Sequence, residues 1–289
     1  MNAYILNDRI LDPVAGHISS HFCQLIILID TDHIQYGLLD SDRNKFIALA
    51  DFKLNNDHTG QKPSFSHLEE LFNGEELLNR KYPSVLIGMN TFYHTLVPSP
   101  LFDQEHTSNY LEFNFRLPEN THVQSDRVEE IDAYNIVGFD KDFVDFFKRK
   151  YSNAALVHGS TAVIKAAGQH HKQSPVASRL FLHVRSGFID LVLFEGKKLV
   201  LFNSFPYSTK EDVLYFTLYT VEHASVDLNK LNLSLSGFID EASDTYQLLA
   251  QYFGKMTFAD RLDAFNYSAL LEQLPAWRYQ DLFALVLCG

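Results

Sequence analysis

Two cysteines, Cys23 and Cys288, are all that 289 residues contain, and neither belongs to a ligand-spaced pair. A disulfide-rich scaffold and a thiolate zinc site are thereby excluded, and the usage suits a reducing, cytoplasmic compartment. Basic charge is also scarce: 24 Lys and Arg stand against 36 Asp and Glu, a net charge of -12. Such a surface repels phosphate backbones and anionic lipid at long range, which sets nucleic acid aside as a partner. The one basic cluster, Lys148-Arg149-Lys150, closes a helical pattern, where cations complement the C-terminal dipole. No stretch reaches the roughly 18 apolar residues of a membrane helix, and Met1 to Ser20 mixes Asp8, Arg9 and Asp12 into its apolar residues, so neither membrane insertion nor a signal core is expected. Methionine and tryptophan are few, three and one, whereas Phe and Tyr number 24 and 14. Rings and aliphatics, not flexible thioethers, are expected to fill the cores.

The chain repeats itself. Gln24 to Asp30 (QLIILID), His33 to Asp40 (HIQYGLLD) and Lys45 to Phe52 (KFIALADF) read as three consecutive strands. Arg179 to His183, Gly187 to Phe194 and Lys198 to Phe205 repeat that order. An ungapped offset of 153 carries Lys45 to Lys198 and Phe52 to Phe205; it also sets Asp30 against His183 and Asp32 against Arg185. Helical stretches follow at Phe65 to Tyr82 and Thr209 to His223, then strands at Val85 to Met89 and Leu231 to Leu235, and each half ends in further apolar helix.

An insert of about forty residues, near 92–133, separates Val85 to Met89 from a strand at Tyr134 to Phe139. Its Val97-Pro98-Ser99-Pro100 segment is a rigid turn, and Tyr110 to Phe115 (YLEFNF) alternates as a strand would. Helix Asp142 to Lys150, strand Ala155 to His158 and helix Ser160 to Gln169 complete the first half. The polar run Gln169 to Ser174 is the expected linker, dividing the chain into 1–174 and 175–289.

A meander of three strands, then helix, strand and helix, present twice, resembles the actin-like ATPase superfamily. The likeness is nearest to an uncharacterised bacterial family of that fold without known function, and more distant to actin-like pilus-assembly scaffolds. It implies an α/β protein of two ribonuclease H-like βββαβα halves, each a five-stranded mixed sheet, with a central cleft. In active members of that superfamily an Asp-x-Gly turn approaches the phosphates in each half. Here Asp30 keeps the acidic position, but Asp32 stands where the glycine belongs and adds like charge against a triphosphate. The second turn, aligned by the offset, reads His183-Val184-Arg185 and lacks both residue types; Arg185 is expected to pair with a nearby carboxylate. The adenosine loop keeps one glycine, Gly237, with Phe238 crowding the next position. These positions argue against a cofactor, with ATP and magnesium the alternative.

A metal-dependent nuclease would use Asp30 and Asp32 on one face together with a third carboxylate, but Asp40 lies at the far end of its hairpin. His17, His21, His170 and His171 lack the count and spacing of a zinc site and read as solvated loop residues. Ser160 and Thr161 after His158-Gly159 read as a helix N-cap, with no Gly-x-Ser-x-Gly elbow around them. What remains is a non-catalytic interaction or scaffold module, in which the cleft or the aromatic insert around Phe92, Tyr93, Tyr110, Phe113 and Phe115 holds a protein partner. A nucleotide-binding switch or phosphotransferase is the rival.

Overall fold

The computed structural model describes residues 4–55 and 65–289. Strand β1 (Tyr4–Leu11) and a short helix α1 (Pro13–His17) lead into the first meander, β2 (Cys23–Ile29), β3 (His33–Asp40) and β4 (Lys45–Leu54). Helix α2 (Phe65–Gly74) ends sooner than the expected Tyr82, giving way to a 3-10 turn over Glu76–Asn79, and β5 (Ser84–Met89) follows. The insert contributes β6 (His94–Pro98), α3 (Thr107–Glu112), β7 (Thr121–Val128) and β8 (Ala133–Asp140); α4 (Lys141–Lys150), β9 (Ala154–His158) and α5 (Gly159–Gln173) return to the main fold. The second half is β10 (Ser178–Val184), β11 (Phe188–Glu195), β12 (Lys198–Pro206), α6 (Lys210–His223), β13 (Leu231–Gly237), α7 (Asp244–Leu249) and β14 (Met256–Phe258), after which come β15 (Asn266–Tyr267) and α8 (Gln280–Ala284).

The two main sheets share one plan. Strand order β4-β3-β2-β5-β9 in the first equals β12-β11-β10-β13-β14 in the second, antiparallel within each meander and parallel beyond it. The central strands are buried on both faces, which is why β2 and β10 read as continuous apolar runs instead of alternating. Helices α2 and α4 cover one face of the first sheet with Leu68, Phe72, Phe146 and Phe147. Its other face receives Ala162 and Ala166 of α5 and, from the end of the chain, Tyr279, Leu282, Phe283 and Leu285. The second sheet is covered by α6 and α7 on one side and by Val163, Ile164 and Ala167 of α5 on the other. Helix α5 thus lies between the sheets and has almost no solvated stripe.

Five expectations change. The first sheet has seven strands, not five, because β1 and β15 both pair with β4. Strand β8 joins β6 and β7 in a separate three-stranded sheet. Tyr110 to Phe115 contains no strand: α3 runs to Glu112, and Phe113 N donates to Asn109 O in a helical turn. Six residues are too few to separate a period of two from one of 3.6 when Leu111 alone is fully buried. The polar run read as a linker is largely the last turns of α5, where His170 and His171 are buried, not solvated, and their rings meet Gln280 and the Gly196 carbonyl.

The fifth change concerns the repeat. Register pairs Ile29 with Ile34 across the first hairpin and Val184 with Ile189 across its copy, an offset of 155. The offset of 153 holds only for β4 and β12. The second hairpin accounts for the difference: Asp40 pairs with Lys45 across four turn residues, whereas Glu195 pairs with Lys198 across two. A slip of two preserves every inward and outward assignment, so the hydrophobic pattern could not reveal it.

Candidate functional site

The corrected register makes Arg185, not His183, the counterpart of Asp30. Each residue opens its turn with the same backbone bond, Asp30 N to His33 O and Arg185 N to Phe188 O, both 3 residues on at 2.9 and 2.8 Å. The second turn is therefore Arg185-Ser186-Gly187, and Gly187 holds a left-handed φ of +71°. The glycine expected to be lost is present; it is the acidic position that has changed.

These two counterparts meet across the halves. Arg185 Nη1 lies 3.0 and 3.1 Å from the two carboxylate oxygens of Asp30, while Nε and Nη2 reach Asp190 on β11 at 2.8 and 3.3 Å. Asp190 also accepts from Ser204 on β12. Arg185 and Asp190 are buried, at 4% and 0% exposure. Burial works against both charges, but their mutual attraction prevails: Arg185 is held above the ordinary guanidinium range and the Asp190 carboxyl is lowered to about 2. Asp30 is further occupied by Thr31 N at 2.8 Å and Asn90 Nδ2 at 3.1 Å. Beside it, Asp32 accepts from Ser186 Oγ at 2.8 Å, a second link between the turns.

His183 points elsewhere. Its Nδ1 lies 2.9 Å from Ser236 Oγ and its Nε2 3.2 Å from an Asp281 oxygen on α8. Gly237 has a φ of +84° and packs so closely on β10 that a Cβ would overlap the Val184 carbonyl oxygen. Phe238 then turns back over His33, ring centroids 4.8 Å apart, with the Arg278 guanidinium 4.6 Å from its own ring. A magnesium triphosphate does not fit these residues. Both oxygens of the carboxylate that would face the cation already accept from Arg185, and the loop that would admit the base carries a ring packed on His33.

Beside the ion pair opens a pocket of about 400 Å³ between the first sheet, the insert sheet and β11 to β12. Asp30, Asn90, Arg185 and Ser204 supply polar groups; Phe92, Tyr93, Phe139, Phe143 and Phe188 supply rings. The loop after β5 that carries Asn90 to Tyr93 is anchored from below. Thr91 N lies 2.9 Å from His158 Nε2, His158 N donates to Asp126 at 2.8 Å, and Gly159 leaves no room for a Cβ beneath the Asn90 amide. His158, not the Gly159-Ser160-Thr161 run, caps α5, its Nδ1 accepting from Ser160 N. Ser160 is buried, and Asn135 Nδ2 donates to its hydroxyl at 2.9 Å. Burial also pushes His94, on the pocket wall, down to about 4.

Of the aromatic residues singled out, Phe92, Tyr93 and Phe115 form one edge-to-face group with centroids 5.4 to 6.3 Å apart. Tyr110 belongs to the insert's own small core, and Phe113 is 90% exposed. Sequence reasoning missed Asn90, Asp190 and Ser204. Asp190 had left a signal: a lone carboxylate in the apolar run FIDLVLF has to be buried with a partner. Among the described residues no group of three His, Cys, Asp or Glu is placed to hold a metal ion, and no helix is long and apolar enough to cross a membrane.

With this geometry the chain is similar to a Bacteroides thetaiotaomicron VPI-5482 protein of actin-like ATPase fold and unknown function, at 22% identity and a TM-score of 0.77, over 93% of this chain and 97% of that one. It is also similar to a chain of the PilM-PilN type IV pilus biogenesis complex, at 13% identity and a TM-score of 0.66, over 91% of this chain and 97% of that one. No curated protein matches the sequence significantly. At these identities the likeness shows the fold, which is the actin-like ATPase fold. A family model matches residues 16–256, and the chain belongs to that family, DUF3822, described as proteins of unknown function.

Proposed function

We propose that this chain is a non-catalytic protein-interaction or scaffold module, an actin-like ATPase fold that binds a protein partner at the pocket beside its cleft and does not turn over ATP. The Asp30–Arg185 pair carries the reading. A guanidinium occupies the carboxylate that would otherwise serve a metal or its water, and a third charge, Asp190, keeps it there. The pocket supports it further, since apolar walls with a few convergent polar groups are what binding sites offer. PilM, similar in fold, occurs in a complex with PilN. Free thiols at Cys23 and Cys288 suit a cytoplasmic setting.

A nucleotide-dependent switch or phosphotransferase is the second reading, favoured by Gly187, which keeps the left-handed turn a phosphate loop uses. Thermal unfolding with millimolar Mg-ATP or Mg-ADP separates the two, because a ligand bound only by the folded state raises the transition with its concentration. No shift and no ATP turnover are expected. A nucleotide-dependent rise that Asp30→Ala removes would replace the first reading with the second.

A further inference from the structure

The pocket carries charge as well as aromatic surface. Asp30 and Asp190 flank Arg185, so the triad at its base sets two formal negative charges against one positive. Asp140 lines the pocket as well, an exposed carboxylate that caps α4 by accepting from Asp142 N and also accepts from Asn120 Nδ2, both through one oxygen. His94 contributes no cation at neutral pH, because burial keeps its ring unprotonated. Arg185 is the one Lys or Arg among the lining residues, and its guanidinium is already committed to two carboxylates. The walls are rich in aromatic rings, whose quadrupoles attract cations. Methylene groups gain from the same walls through burial.

We infer that the occupant of this pocket is a basic side chain of the partner protein, lysine or arginine, with its aliphatic stem along Phe92, Tyr93 and Phe143 and its charged head at Asp140. The inference rests on the interaction-module reading and gives its partner a chemistry. A carboxylate or phosphate head would meet net negative charge in a partly desolvated site, where repulsion is strong. The charge of -12 over the whole chain steers a basic partner inward and an acidic one away.

Three probes of one chain length separate the contributions: hexylammonium, hexanol and hexanoate, titrated into the full-length protein and followed by amide chemical shifts. Hexylammonium is expected to bind about five-fold tighter than hexanol, the scale of one partly exposed ion pair, with hexanoate weakest. Asp140→Asn should bring hexylammonium to within about two-fold of hexanol and leave hexanol unchanged; asparagine is as good an N-cap as aspartate, so α4 is retained. Hexanoate binding as tightly as hexylammonium, or an ammonium preference untouched by Asp140→Asn, overturns the inference. If hexanol binds and the ammonium gains nothing, the charge assignment alone fails. If none of the three binds, the pocket is not the docking site and both readings of it fall.

Discussion

Asp30 and Arg185 stand 155 residues apart, occupy the same position in two copies of one hairpin, and are joined by a guanidinium nitrogen within 3.1 Å of both carboxylate oxygens. The two equivalent turns face each other across the halves and hold opposite charges. The two halves are tied there, turn to turn, by this pair and by Ser186 Oγ donating to Asp32.

Removing the cation should be costly. Arg185→Leu leaves Asp30 and Asp190 buried without their partner, and a loss of about 3–5 kcal/mol is expected in urea denaturation. Replacing all three charges together, Asp30→Leu with Arg185→Met and Asp190→Leu, should recover most of that loss, because an apolar cluster needs no desolvation of ions. Equal instability of the single and triple variants would show that the damage came from packing.

Stability should fall as pH drops from 6.5 towards 4. Burial lowers His94 to about 4, and lowers His158 and His170 as well. Between the folded and unfolded values the unfolded chain binds more protons, so the contribution is fully present above about 6.5 and is lost on acidification, at about 1.4 kcal/mol per unit of difference. The Tm measured at pH 5 should lie below that at pH 7, and His94→Phe, which cannot protonate, should narrow the gap.

Gly237→Ala should destabilise by more than the roughly 1–3 kcal/mol of a strained φ alone. Its φ of +84° disfavours any side chain, and the added methyl also overlaps the Val184 carbonyl. Gly187→Ala tests the difference, since its φ is +71° but nothing lies within 4 Å of its Cβ. Thermal melts should rank the wild type above Gly187→Ala, and that above Gly237→Ala.

Phe72→Ala should cost about 3–5 kcal/mol, the range for a fully buried ring. Phe72 touches Phe146, Phe147 and Tyr151 between α2 and α4, with Lys150 Nζ 5.3 Å from its ring. Phe113→Ala, at a ring 90% exposed, should leave the denaturation midpoint within error.

The chain by itself determined the two meanders, the helices that follow them and hence the duplicated α/β fold, because strand and helix periods are local properties of the apolar pattern. The helical stretch read from Thr209 to His223 became α6 for the same reason, and the structure closes its start with a capping box of Thr209 and Asp212. The register of the copies was not local. A two-residue slip leaves each side chain on its own face, so only the hydrogen-bonded pairing of β10 with β11 could set Arg185 against Asp30. The site followed from that pairing, since Asp30, Asn90, Asp140, Arg185 and Ser204 are widely separated in the chain and converge only when α5 packs between two sheets. Charge at a cleft depends on which groups face one another across it, and that was decided by tertiary packing alone.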